Sequence, residues 1–157
     1  GNLTADLFID CTGFASLLLG KTLGVGLRDH SSTLFADRAL ALQLPYADKQ
    51  APIASHTLST AHQAGWLWDI GLTNRRGIGC VYASDYMSDE QAEAVLRNYT
   101  GKLPEDVAVR RLSFRCGHRE QFWHKNCLAI GLAAGFERLG SVVTGPLLDP
   151  SEGDFSI

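Results

Sequence analysis

Several features are missing from this chain of 157 residues, and each absence removes a class of function. There is no basic run, and the net charge of −3 is spread along the sequence, which argues against nucleic acid as a partner. No apolar stretch is long enough to cross a bilayer as a helix. Leu17-Leu18-Leu19 is flanked closely by Asp10 and Lys21, and no signal-peptide pattern is present. Cys11, Cys80, Cys116 and Cys127 have neither CxxC spacing nor the pattern of a disulfide framework, so they read as buried, reduced thiols of a cytoplasmic protein. Ser55, Ser59 and Ser84 lack a surrounding Gly-x-Ser-x-Gly, which gives a hydrolase triad little support. There is no glycine-rich GxGxxG fingerprint, no internal repeat and no low-complexity segment. The chain opens on Gly1 without an initiator methionine and reads as cut from a longer protein.

What is present is organised around Gly65-Trp66-Leu67-Trp68-Asp69-Ile70-Gly71-Leu72. In a strand, residues two apart share a face, so Trp66 and Trp68 form an aromatic wall while Leu67 and Asp69 point the other way. Upstream, Ala5-Asp6-Leu7-Phe8-Ile9-Asp10-Cys11 reads as a buried strand, Thr12-Gly13 as a turn, and 14–20 as a short helix closed by glycine. Residues 20–32 read as loop. Strands are expected over 39–44, stopped by Pro45, then over 53–61, 65–72 and 78–83, with Asn74-Arg75-Arg76-Gly77 as a turn. This spacing predicts an antiparallel meander. Ser88 and Gln91 are spaced as a capping box, and Ala92, Val95, Leu96 and Tyr99 follow at helical spacing. Val107, Val109 and Leu112 mark another strand, 126–131 a further buried one, and Leu132 opens an expected helix whose start offers N–H groups to a ligand.

The remaining polar residues have plainer readings. Asp69 reads as a solvated strand-face charge, and His56 and His62 as structural or exposed, without a ligand-spaced partner. His118 and His124 lie among Arg115, Arg119 and Glu120 and read as a solvated polar face; His30 falls in a loop.

Three stretches taken together carry a more specific signal. They are the segment from Asp6 through Asp10-Cys11-Thr12-Gly13-Phe14, the Trp-x-Trp-x-Ile of Trp66, Trp68 and Ile70, and Asn126-Cys127-Leu128-Ala129-Ile130-Gly131-Leu132-Ala133-Ala134-Gly135-Phe136. In this order the chain resembles flavin-dependent tryptophan halogenases over nearly all of 5–136. The resemblance implies an α+β fragment of a flavin-monooxygenase-like fold, a mixed sheet with an antiparallel β-meander and a few helices. It implies FAD, reduced by a separate flavin reductase, and a reaction in which oxygen and halide give hypohalous acid. That oxidant then halogenates tryptophan or another electron-rich aromatic ring with help from a lysine and a glutamate. Asp10, Gly13 and Phe14 match a segment that closes on FAD. Gly131, Leu132 and Ala133 match the corner at its isoalloxazine ring. Trp66, Trp68 and Ile70 match the motif that keeps substrate from flavin.

The departures are equally specific. Gly71 stands where the family pattern has proline, and the expected glutamate after Leu139 is Gly140. The fingerprint and the catalytic lysine belong to parts not represented, so Lys21, Lys49, Lys102 and Lys125 take no such role. Domain organisation is therefore expected as a partial halogenase domain over 1–136 and a divergent, frame-shifted tail over 137–157. Codons for Leu139 to Pro146 read one base later can spell Leu-Glu-Ala-Ser-Ser-Leu-Val-Leu, a form of the missing motif. Two other readings stay open at this point: a flavin-dependent aromatic monooxygenase and a non-catalytic truncated module.

Overall fold

The structure, a computed structural model, describes residues 3–48, 50–101, 104 and 107–137. Apart from Glu137, the expected divergent tail lies outside them. In chain order the described strands are β1 (Phe8–Asp10), β2 (Leu27–Asp29), β3 (Arg38–Pro45), β4 (Leu58–His62), β5 (Gly65–Gly71) and β6 (Arg75–Tyr82). After α1 (Asp89–Thr100) come β7 (Arg110–Ser113), β8 (Gly117–Arg119), β9 (Trp123–His124), β10 (Cys127–Ala129) and β11 (Gly135–Phe136). The chain divides into two compact units. One is continuous, Ser31–Arg115, and the other joins the segment up to His30 with the segment from Cys116.

The continuous unit is an antiparallel sheet of order β4-β5-β6-β3-β7; β4, β5 and β6 form the expected meander, whereas β3, expected as its first strand, lies between β6 and β7. Alternation sets its two faces. On one, Leu40, Leu42, Leu67, Ile78, Cys80 and Tyr82 pack with Ala92 and Leu96 of α1, each large aliphatic contributing about 1.5–3 kcal/mol on full burial. On the other, Ala39 and Val81 meet Trp66, Trp68, Leu112 and Phe114. Helix α1 begins where expected. Ser88 Oγ accepts the Gln91 N–H at 3.3 Å, and the Gln91 side chain accepts the Ser88 N–H at 2.9 Å. It ends at Gly101, which takes φ +75, a left-handed conformation that glycine adopts without Cβ strain. β6 starts at Arg75, so part of the expected turn 74–77 is strand, and the hairpin closes through Leu72 N–H donating to Arg75 O. β7 is shorter than the expected alternation because Val107 and Val109 precede it and pack on the helix-side core.

The discontinuous unit has two small sheets, β1-β10-β9 and β11-β8-β2. β1 and β10 are parallel, with Phe8 opposite Cys127 and Asp10 opposite Ala129. Leu19, Val25, Cys127, Ala129, Ala133 and Ala134 form its core. Three local expectations are corrected here. The short helix over 14–20 is instead a 3-10 turn, Gly13–Ala15, and then a π-helical turn, Leu17–Thr22. It runs past Gly20 because Asp10 and Ser16 take its first amides. The loop 20–32 contains β2, paired with β8. The helix expected from Leu132 is a 3-10 turn of three residues, Gly131–Ala133, followed by β11. Pairing of Gly135 and Phe136 with β8 overrides the local propensity of the alanines for helix. With the fold class α+β and mixed sheets, the expected architecture holds; the helix N-terminus at Leu132 does not exist.

Candidate functional site

β1 and β10 run side by side, and the chain leaves both at the same end. From β1 it enters the Gly13–Ala15 turn and from β10 the Gly131–Ala133 turn. Ile130 N–H donates to Asp10 O at 3.1 Å at that edge, and the two turns are in contact. The carboxyl ends of adjacent parallel strands are where open α/β folds form ligand crevices. Gly13 (φ +66) and Gly131 (φ +58) are left-handed, and a Cβ on either would meet nothing within 4 Å. Both turns therefore turn bare backbone to open space. Phe14 is exposed and stacks edge-on against Phe136 at 6.1 Å. Four of the six residues expected at the cofactor (Gly13, Phe14, Gly131 and Leu132) thus converge on one surface, with Ala133 buried in the core beneath it.

Asp10, the sixth, is fully buried and organises this surface from beneath. Oδ1 accepts the N–H and the hydroxyl of Thr12, and Oδ2 accepts the Leu18 and Leu19 N–H groups at 3.0 and 2.8 Å and the Ser16 hydroxyl at 3.3 Å. Burial by itself would raise the pKa of this carboxyl, but the hydrogen bonds from Thr12, Leu19 and Leu18 outweigh it and hold it below the usual value. Its charge in turn adds to burial in raising the Cys127 thiol. Arg119 holds the second turn from behind: its side chain donates to Val25 O at 3.0 Å and Ala133 O at 3.4 Å, and its N–H to Ala134 O at 2.7 Å. A Cβ on Gly20 would lie 2.7 Å from that guanidinium, so a larger residue there would push the arginine aside. No sequence pattern marks Arg119 for this task.

In the other unit, Trp66 faces Val81 and Trp68 faces Gly79, as alternation predicts. Their rings are 5.9 Å apart and inclined at 48°. The Trp68 indole lies over bare backbone, since a Cβ on Gly79 would fall 2.1 Å from it. Trp66 Nε1 is shielded from solvent and finds no acceptor among the described residues. Ile70 is 40% exposed and sits near the end of β5. Beside Trp68 opens a cleft of about 550 Å³, also lined by Gln43, Gly77, Val107 and Leu112, of a size that suits small ligands.

Three expectations change, those for Asp69, His118 and Cys11, while His62 has the structural role expected of it. Asp69 is 3% exposed and carries no solvated charge: Arg76 Nε and Nη2 both bond to its carboxylate, and Tyr99 Oη donates to Oδ2 at 2.9 Å. His62 is half-buried, with Nε2 at 3.1 Å from Val81 O and 3.2 Å from Cys80 Sγ. Burial lowers its pKa, against the Val81 contact, and raises the Cys80 thiol to about 11. His118 is half-buried, its ring 5.3 Å from His30 and 5.6 Å from Phe122, so it is not part of a solvated face. Cys80, Cys116 and Cys127 are buried and in no disulfide among the described residues, as expected, whereas Cys11 is exposed.

The family model described as tryptophan halogenase matches residues 1–141. The chain is 46% identical over 136 residues to 7-chloro-L-tryptophan 6-halogenase KtzR of Kutzneria sp. (strain 744), covering 87% of this chain and 26% of that protein. It is 46% identical to tryptophan 6-halogenase SttH of Streptomyces toxytricini, whose crystal structure superposes with a TM-score of 0.78 over 88% of this chain and 27% of that one. A tryptophan halogenase structure from Shewanella frigidimarina NCIMB 400 is 49% identical, with a TM-score of 0.77 over 87% of this chain and 26% of that one. The chain spans about a quarter of the length of these relatives. With the family model covering nearly all of it, this chain belongs to the tryptophan halogenase family.

Proposed function

We propose that this chain is part of a flavin-dependent halogenase that acts on tryptophan or another electron-rich aromatic, using FAD reduced by a separate reductase, oxygen and halide. The observation that carries the reading is the pair of turns at the carboxyl ends of β1 and β10. Gly13 and Gly131 present side-chain-free backbone there, a surface on which a flat ring system can lie, and Phe14 supplies an exposed aromatic edge. When bound, FAD supplies the redox chemistry that oxidises halide. The residues of this chain position and screen. Asp10 fixes the Thr12–Leu19 segment by its five hydrogen bonds, Leu132 and Ala133 set the second turn, and Arg119 braces it. Trp66, Trp68 and Ile70 act in the family's arrangement as the screen that keeps an organic ring from the flavin while halide passes. The domain assignment 1–136 belongs to the same reading, as does a cytoplasmic setting, which three buried cysteines outside any disulfide among the described residues support.

The chain lacks a glycine-rich pyrophosphate cradle, so by itself it is inactive and binds FAD weakly or not at all. Fluorescence titration of FAD into the 157-residue chain tests this; tight stoichiometric binding contradicts it. Mass spectrometry on the product of the full-length gene tests the activity. A halide-dependent product is expected, and a hydroxylated product formed equally without halide would favour the aromatic monooxygenase instead.

A further inference from the structure

We infer that His30, His118 and Glu137 form a binding site for a divalent transition-metal ion, with Zn²⁺ the ion that the donor set fits. The inference does not rest on the flavin reading. It begins with register. β8 is the middle strand of β11-β8-β2, and His118 lies opposite Arg28 on one side and Gly135 on the other. Side chains two residues along a strand share a face. His30 is two beyond Arg28 and Glu137 two beyond Gly135, so both arrive on the face of His118 as diagonal neighbours. His30 N–H donates to Cys116 O at 2.9 Å, which carries the β2–β8 ladder far enough to fix the first of them. Arg28 shares the face but is exposed, where water screens its charge.

The three side chains then converge. His30 Nδ1 is 2.8 Å and His118 Nε2 is 3.7 Å from Glu137 Oε1, and one donor atom from each residue lies within 4.8 Å of the others. The other nitrogen of His118, Nδ1, is 2.7 Å from Arg119 O. A carbonyl oxygen only accepts, so Nδ1 carries a proton, which leaves Nε2 as the nitrogen that can offer a lone pair to a metal ion on the Glu137 side. A histidine ligand is oriented in this way by its second nitrogen. Glu137 Oε1 is shielded from solvent and accepts no hydrogen bond among the described residues, although His30 Nδ1 is within reach by distance. A cation among the Nε2 lone pair of His118, His30 Nδ1 and this shielded carboxylate oxygen would give all three a partner. Two imidazole nitrogens and a carboxylate oxygen, with no thiolate, make a set that Zn²⁺ takes with a coordination position left open. Bonds of about 2.0–2.1 Å ask the atoms to close by side-chain rotation from their present spacing. Phe122 and the His30 ring wall His118 on two sides. Gly135 lets β11 approach β8 at His118, because a Cβ there would lie 2.6 Å from Gly117 O and His118 Cα.

Equilibrium dialysis of the metal-free 157-residue chain against Zn²⁺, with Co²⁺ absorption as a spectroscopic probe of the ligand set, tests the inference. The expected result is one ion per chain. Glu137→Gln, which keeps the shape of the side chain, and His118→Ala should each weaken binding by at least about a hundredfold, the upper end of what disturbing even an outer-shell partner costs. His56→Ala, at an exposed histidine in the other unit, should leave it unchanged. Circular dichroism of Glu137→Gln matching the parent separates ligand loss from unfolding. No saturable Zn²⁺ binding by the parent chain, or one ion still held with unchanged affinity by Glu137→Gln and His118→Ala, would overturn the site.

Discussion

Asp10→Ala tests how the surface at the carboxyl ends of β1 and β10 is built. In the parent, one carboxylate with no solvent exposure receives two hydrogen bonds from Thr12 and one each from Ser16, Leu18 and Leu19. Thr12 is exposed, so its two donors find water after the substitution and cost little. Ser16 and Leu19 are fully buried and cannot, and a buried donor left without an acceptor costs about 1–3 kcal/mol. With Leu18 partly shielded between these extremes, the expected loss is about 3–5 kcal/mol, the range seen when one partner is removed from a buried charged network. At about 2–4 °C per kcal/mol for a chain of this length, the melting temperature falls by about 10 °C. Asp10→Asn keeps the shape and one acceptor and should fall between. The pH dependence has a definite sign. The folded pKa is lowered, so the contribution of the carboxylate is present above the unfolded value and disappears as pH falls through the folded one. The parent should therefore lose more stability than Asp10→Asn on acidification below the usual carboxylate range. The assay is thermal melting together with amide hydrogen exchange at Leu18 and Leu19. A melt of Asp10→Ala within about 2 °C of the parent, with unchanged exchange at Leu19, would refute the assignment of Asp10 as the organising group.

Three further outcomes follow from the continuous unit. Gly79→Ala drives a methyl group into the Trp68 ring and should destabilise by about 1–3 kcal/mol, with a shift in tryptophan emission; an unchanged spectrum would show that the ring does not rest on Gly79. Tyr99→Phe removes one donor from Asp69 and should cost about 0.5–1.5 kcal/mol, while Asp69→Ala strands Arg76 and should cost about 3–5 kcal/mol, both read by urea denaturation. Equal effects would mean that the Asp69–Arg76 pair adds nothing beyond the tyrosine bond. Because burial lowers the pKa of His62, its folded state favours the neutral ring, so stability is retained above the unfolded value near 6.5 and falls as pH drops below it. His62→Gln should flatten that slope between neutral and mildly acidic pH, and an unaltered slope would place the titration elsewhere.

Features with a strict local period were legible in the sequence. Period two put Trp66 and Trp68 on one face and Leu67 on the other. Ser88 and Gln91 announced the start of α1, because a capping box is a contact between residues three apart. The order of the three family stretches identified the fold. Features that depend on partners far along the chain were not legible. Asp69 looked solvated because nothing local shows that Arg76 and Tyr99 close over it. Leu132 looked like the start of a helix because Ala133 and Ala134 favour one, and the competing pairing of β11 with β8 is a tertiary event. The π-helical turn at Leu17–Thr22 follows from a carboxylate at Asp10 that reaches forward to Leu18 and Leu19. His30, His118 and Glu137 belong to strands of two or three residues or their flanks, too short for any period to show which face they share.

The topology also fixes an order of events during synthesis. The sheet of Ser31–Arg115 closes with partners near one another in the chain, β4 with β5 and β5 with β6. It can assemble as soon as that segment has left the ribosome, since contacts close in sequence form fast. β1 precedes that segment, yet its partner β10 is made only after it. Until β10 is made β1 lacks this partner, and in the finished structure Leu7 beside it and Ile9 within it are still about half exposed. That waiting strand is the segment for chaperones to shield, and slowing synthesis ahead of Cys127 should increase aggregation without disturbing the meander.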